Sequence, residues 1–90
     1  APLEYFMEQN YPNPASGFST SIQLGLVRQE PVQLRIISML GAEISTINLG
    51  TLPAGAHEIE LETQALQAGT YLYVLETPTV RLTKQMMIVR

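Results

Sequence analysis

Apolar and polar residues alternate at every second position along most of this chain. This period of two is typical of β-strands with one buried face, and turn residues separate the runs by the roughly 8–12 residues expected of a β-sandwich or barrel. No stretch of ten or more residues has helical patterning. The sequence therefore predicts an all-β antiparallel sandwich of about seven strands. After a short apolar lead-in at Leu3–Met7, the alternating runs are STSIQLGLV (19–27), VQLRIIS (32–38), EISTINLG (43–50), AHEIELE (56–62), TYLYVLET (70–77) and VRLTKQMMIVR (80–90).

Two of these runs depart from simple alternation. In EISTINLG the apolar residues Ile44, Ile47 and Leu49 are out of phase, which predicts either a β-bulge or a strand covered on both faces. TYLYVLET is apolar on both sides, as expected of a central strand. Breaks or turns are predicted at Glu30-Pro31, Met39-Leu40-Gly41-Ala42, Leu52–Gly55 and Thr77-Pro78-Thr79, and TQALQAG (63–69) is interpreted as a short crossover.

The stretch QNYPNPASG contains a proline corner, residues 10–17. Pro12 and Pro14 each fix their own φ and disfavour the helical region for the residue before them. They also lack an N–H, which excludes a central strand. We expect a rigid, extended corner followed by a turn at Ala15-Ser16-Gly17. It has no acid, base or metal partner, so we interpret it as the point where the domain begins to fold after a lead-in at residues 1–9 from a linker.

Composition narrows the possible functions. Ninety residues make a single domain, residues 1–90, and a chain that is 46% hydrophobic and 14% charged is expected to fold. The net charge is −3 and the five basic residues are scattered, which argues against nucleic-acid binding. There is no cysteine for a disulfide, a thiolate metal site or a nucleophile.

The sequence also shows no signal peptide and no apolar run near the roughly 18 residues of a membrane helix. It begins with Ala1 rather than methionine, so we expect it to be a fragment or processed piece of a longer protein.

His57 is the single histidine, and it shares a stripe with Ile59 and Leu61 that should face the core. A general base needs an orienting partner and a nucleophile within reach. The neighbouring carboxylate of Glu58 should point to the opposite face of the strand. We therefore predict a partly buried histidine that is bonded to a backbone carbonyl rather than a catalytic base.

Glu58, Glu60 and Glu62 form a row of carboxylates whose neighbours are about 7 Å apart on one face of a strand. This spacing could suit the carboxylates of an inverting glycosidase or a calcium ion. A flat outer strand offers no cleft, however, and the chain has no aspartate. A solvated face is favoured.

Tyr71 and Tyr73 could form a platform on which a sugar stacks. They share a stripe with Leu75 in the strand that should be central, and Gly69-Thr70-Tyr71 is typical of a turn with a tyrosine corner. Core tyrosines are favoured. No catalytic, cofactor-binding or metal-binding residue is predicted, and we do not expect an enzyme.

Taken in order, the motifs resemble the type A C-terminal sorting domain of the type IX (Por) secretion system of Bacteroidota-type bacteria. Two departures concern Ala15-Ser16, where the family often has Phe-Asn, and Leu61-Glu62-Thr63, where it often has an aromatic residue and an Asp-Gly turn. The residues that carry the resemblance are Asn10, Tyr11, Pro12, Asn13, Pro14, Gly41, Gly55, His57, Gly69 and Tyr71, followed by the Lys84–Arg90 tail.

The resemblance implies an immunoglobulin-like sandwich that has no catalytic role and no cofactor. Such a domain is attached to an N-terminal cargo, crosses the periplasm, and reaches the outer membrane, the cell surface or the medium. Its implied partners are the outer-membrane translocon, shuttle and sortase proteins of the secretion system.

We expect the translocon to recognise the terminal strand, because its apolar residues could pair at a sheet edge and its two methionines are adaptable. On physical grounds alone, an ordinary closing strand is an equal alternative. The predicted recognition residues are Lys84, Gln85, Met86, Met87, Ile88, Val89 and Arg90.

Three further hypotheses are compatible with the sequence. The domain could be a carbohydrate-binding or accessory module of an extracellular polysaccharide-degrading enzyme, or an interdomain spacer of the same fold. Edge pairing between copies could also give a weak homodimer. The sequence identifies neither the cargo nor a cleavage site.

Overall fold

The computed structural model describes residues 4–90, so Leu3 of the predicted lead-in lies outside the described residues. Within that range the chain forms seven β-strands and no helix. The strands are β1 (Phe6–Met7), β2 (Ser19–Leu26), β3 (Glu30–Ser38), β4 (Glu43–Leu52), β5 (Gly55–Glu62), β6 (Gly69–Glu76) and β7 (Arg81–Ile88). The break predicted at Glu30-Pro31 is wrong, because both residues belong to β3 and pair with Leu52 and Thr51 of β4. Pro31 is accommodated there because pairing with β6 begins only at Gln33.

The strands form two antiparallel sheets, in the orders β1-β2-β5 and β4-β3-β6-β7. β3–β4 and β6–β7 are hairpins, whereas the other connections cross between the sheets or, from β1 to β2, run through the proline corner. In constant-type immunoglobulin domains the fourth strand lies on the first sheet, but here β4 lies beside β3. The predicted immunoglobulin-like antiparallel sandwich is confirmed.

The core lies between the sheets and is built from the alternating apolar residues of the facing strands. Each fully buried aliphatic side chain contributes about 1.5–3 kcal/mol relative to an exposed one. The predicted inward positions of β2 and β3 are all buried: Thr20, Ile22, Leu24, Leu26, Val32, Leu34 and Ile36. β6 lies between β3 and β7 and has a buried side chain on each face at Tyr73 and Val74, which confirms the predicted central strand.

β4 contains two β-bulges, which explain its out-of-phase apolar residues. Ile36 pairs with Ser45 and Ile37 with Glu43, so that Ile44 is an extra residue. A second shift, between Val32 and Gln33, leaves Leu49 extra in the same way. The bulge alternative is therefore confirmed, and the alternative of a strand covered on both faces is wrong because β4 is an exposed edge strand.

The predicted hairpin turn after β3 is confirmed. The Gly41 N–H donates to the Ser38 carbonyl (2.9 Å), and Gly41 has φ of +90°, which is disfavoured for residues with a Cβ. Gly55 and Gly69, also part of the sorting-domain resemblance, begin β5 and β6 with positive φ.

The proline corner carries the chain from one sheet to the other. Before the prolines, Tyr11 pairs antiparallel with Ser21 at the edge of the first sheet; after them, Ala15 pairs parallel with Ile88 at the edge of the second. Both Tyr11–Pro12 and Asn13–Pro14 are cis. The predicted corner is present, but the turn predicted at Ala15-Ser16-Gly17 is wrong, because Ala15 is paired and the chain bends at 17–18.

Candidate recognition surface at the C-terminal strand

The side chains of the terminal strand alternate between the core and the solvent. β7 is an edge strand beside β6, and its side chains point in turn into the core and to solvent. Met86 and Ile88 are fully buried, whereas Met87 and Val89 keep 45% and 39% of their surface exposed. In the folded domain a partner can reach Met87 and Val89, whereas the side chains of Met86 and Ile88, two other predicted recognition residues, fill the core.

The proline corner, together with Gln9, pairs with the outer edge of the terminal strand. The Met87 N–H donates to Asn13 Oδ1 (2.9 Å), and the Ala15 N–H donates to the Met87 carbonyl (2.8 Å). The Val89 N–H donates to the Ala15 carbonyl (2.9 Å), and Gln9 Nε2 donates to the Gln85 carbonyl (2.5 Å). Two segments that are more than seventy residues apart in sequence therefore form one structural unit.

Asn10 anchors the corner to the core. Its N–H donates to Tyr73 Oη (2.9 Å), and the Tyr73 hydroxyl donates to the Glu8 carbonyl (3.1 Å). Its Nδ2 donates to the Pro12 carbonyl and to Thr20 Oγ1, both at 3.1 Å. Burial raises the pKa of Tyr73, so its hydroxyl stays protonated and available as a donor.

Arg90 fixes the end of the chain. Its Nη1 donates to the Gly17 carbonyl (2.9 Å), and its Nη2 donates to the carbonyls of Leu66 (2.9 Å) and Thr63. The guanidinium thus bridges the bend after the corner and the crossover between β5 and β6. The sequence predicts a charge at the end of a strand but gives no signal of these distant acceptors.

Both tyrosines considered as a sugar platform have structural roles. The Tyr71 hydroxyl donates to the Gln67 carbonyl (2.8 Å), four residues upstream, which confirms the predicted tyrosine corner. Tyr73 is fully buried and presents no ring face to solvent. The hypothesis that the two tyrosines form a platform for a sugar is therefore wrong.

The other candidate chemical groups behave as predicted. His57 Nε2 lies 2.7 Å from the Pro53 carbonyl, and the ring is partly buried. Glu58, Glu60 and Glu62 are exposed. Within residues 4–90 no three His, Cys, Asp or Glu side chains are arranged to hold a metal ion, and that same range contains no helix long and apolar enough to span a membrane.

Glu30 is a buried carboxylate that sequence reasoning missed. Thr79 Oγ1 donates to its Oε1 (2.5 Å), and the Tyr5 hydroxyl donates to its Oε2. These hydrogen bonds, chiefly that from Thr79, hold the pKa of Glu30 below its ordinary value. No local signal marks the role, since both donors are distant in sequence.

A groove of about 460 Å³ opens between the edge strands β4 and β5. Ile36 and Ile47 are among its apolar lining residues, and Ile44, displaced by the first bulge, lies there with them. Glu60 and Glu62 also line it. The other polar side chain among its lining residues is that of Ser45.

Comparison with protein families identifies a sorting-domain family. A family model described as "Secretion system C-terminal sorting domain" matches residues 9–89, which extends from Gln9 beside the proline corner to Val89 in the terminal segment. A search of curated proteins finds no match to this chain.

Proposed function

This chain belongs to the family of C-terminal sorting domains of the type IX secretion system, and we propose that it presents a folded address that the secretion machinery reads at the C-terminal strand. Family membership supports a sorting-signal role and export across the outer membrane. The identity of the reading surface is our proposal.

The observation that carries the proposal is the exposure of Met87 and Val89 in a segment that is otherwise held firmly. Their backbone groups are bonded to the proline corner, while their side chains remain in solvent. Exposed apolar side chains on a rigid backbone bind with little loss of conformational entropy. Lys84 and Arg90 add charge on either side of them.

In this proposal the domain is non-catalytic, as the family generally is. Residues 1–9 form the lead-in from the cargo, residues 10–17 the proline corner, and residues 84–90 the terminal recognition strand. The cargo attached at the N-terminus passes through the periplasm to the translocon, with a shuttle protein and a sortase acting in turn. Sortase processing and attachment to the cell surface complete the proposed route.

The test fuses residues 1–90 to a fluorescent passenger in a host that carries the secretion system. We expect Met87→Ser with Val89→Ser to reduce export about tenfold, because exposed apolar anchors dominate protein recognition. The matched control is Met39→Ser with Leu40→Ser, which removes two other exposed apolar side chains at the β3–β4 turn.

Circular dichroism and thermal unfolding of the purified variants check that both pairs still fold. Unchanged export in the Met87 and Val89 variant, or an equal loss in the control, would contradict the proposed surface. Deleting residues 84–90 is a poorer test, because it also removes the buried side chains of Met86 and Ile88.

A further inference from the structure

The outer edge of β7 has an occupied half and an open half. The backbone groups bonded to the proline corner and Gln9 belong to Gln85, Met87 and Val89. Because outward groups alternate along an antiparallel strand, those of Arg81 and Thr83 also point away from β6. Among the described residues neither makes a hydrogen bond on that side.

The open half lies in the most basic part of the chain. Three of the five basic residues are Arg81, Lys84 and Arg90. Arg90 is occupied by backbone carbonyls, but Arg81 has only a 3.7 Å contact with Glu76, and Lys84 makes no ion pair with the residues that the structure describes. Arg81 therefore places positive charge beside an unpaired strand edge, whereas Lys84 is in phase with Met86 and Ile88 and lies on the other face of β7.

The other exposed edges have different properties. β4 is interrupted by bulges at Ile44 and Leu49, a common protection against added strands. β5 carries the exposed carboxylates of Glu58, Glu60 and Glu62, so its charge is of the opposite sign.

We propose that Arg81–Gln85 is a strand-pairing site for an extended, acidic segment of a protein partner. This inference rests on the proposed function, since it specifies how a partner would engage the terminal strand. Backbone bonds at an open edge supply affinity, and a carboxylate opposite the exposed side chain of Arg81 supplies orientation and selectivity. As pairing extends towards Val89, residues 13–15 of the proline corner give way to the partner strand.

The exchange is balanced in hydrogen bonds. Gln9, Asn13 and Ala15 share four hydrogen bonds with Gln85, Met87 and Val89, and an added strand replaces them with backbone bonds. The new bonds at Arg81 and Thr83 have no counterpart to be broken within the domain. Asn10 remains anchored to Tyr73 throughout, so the displacement takes only the small side chain of Ala15 out of the core.

The experiment uses the full chain and a synthetic peptide of sequence GAHEIELE, an acidic alternating strand that is copied from β5 of this protein. A second peptide with lysine in place of its three glutamates is the charge control. Titration is followed through the backbone amide signals of the isotope-labelled protein. We expect the acidic peptide to shift the amides of Arg81, Thr83 and Gln85 and the lysine peptide to leave them unchanged.

Two sets of variants sharpen the result. Arg81→Gln should weaken binding about two- to fivefold, as for one exposed ion pair, whereas Arg28→Gln, at another exposed arginine, should not. Asn13→Ala removes the acceptor for the Met87 N–H and should extend the shifts to Met87 and Val89. Asn13→Asp keeps that acceptor and should not.

Each alternative outcome overturns the proposal. Equal binding of the lysine peptide, or shifts confined to β4 and β5, would place the site elsewhere. Concentration-dependent shifts at Arg81–Gln85 without peptide would assign the edge to a second copy of this chain. None of these outcomes affects the export assay, so failure here leaves the sorting role to be judged separately.

Discussion

At the scale of single residues, the Tyr73 hydroxyl connects the corner to the core. It accepts from the buried N–H of Asn10 and donates to the carbonyl of Glu8, which serves two backbone groups that would otherwise lack partners. A buried donor without an acceptor costs more than a hydrogen bond normally contributes. The Tyr73 hydroxyl is therefore one of the groups that hold residues 8–10 in place.

Tyr73→Phe should lower the free energy of unfolding by about 1–2 kcal/mol, because the Asn10 N–H is left unpaired while the ring still fills its place. Urea denaturation measures the loss. Tyr11→Phe is the control, since Tyr11 is 80% exposed and should tolerate the change. Equal stability of the Tyr73 variant and the wild type would mean that the bridge contributes nothing.

Glu30 should make stability depend on pH. Its pKa is lowered in the folded state by the Thr79 and Tyr5 hydrogen bonds, so its contribution is full above the ordinary glutamate pKa. That contribution is lost as the pH falls through the lowered value, where the carboxylate takes up a proton.

Glu30→Gln should therefore be less stable than the wild type at neutral pH, and the difference should shrink on acidification. Urea midpoints for both proteins between neutral and strongly acidic pH test this. A difference that is constant across the whole range would contradict the assigned linkage.

At the scale of the element, alternation in β7 separates structural from surface positions. Met86→Ala should cost about 2–4 kcal/mol, because it leaves a cavity in the core, whereas Met87→Ala should change stability by no more than about 0.5 kcal/mol. Thermal unfolding of the two variants makes the comparison between neighbouring residues of one type. Similar losses in both would mean that the strand is not held in this register.

The elements themselves could be predicted because their signals are local. The phase of Ile44 and Leu49 reduces β4 to two alternatives, one of them a bulge, and Gly69-Thr70-Tyr71 is typical of the tyrosine corner that is found. Both features depend on residues close together in sequence. The requirement for glycine at position 25 could not be predicted in this way, because it comes from a residue distant in sequence. The Phe6 ring lies 2.1 Å from where a Cβ of residue 25 would be.

At the scale of the whole molecule, the sequence did not predict the hydrogen bonds that join segments far apart in the chain. Asn13 and Met87 are 74 residues apart, and Arg90 reaches carbonyls at Gly17, Thr63 and Leu66. No sequence pattern around an asparagine or an arginine indicates which distant residue it will bond to. The proline corner and the terminal strand could thus each be identified, but not their pairing.

The parallel pairing of Ala15 with Ile88 has a mechanical consequence. Because the two segments run in the same direction, Gln9 lies near Gln85 while Ala15 lies between Met87 and Val89. Single-molecule pulling on the two ends would test this geometry, and Asn13→Ala should lower the rupture force. Tension applied between Gln9 and Arg90 would be carried as shear, with these bonds loaded together rather than broken one at a time.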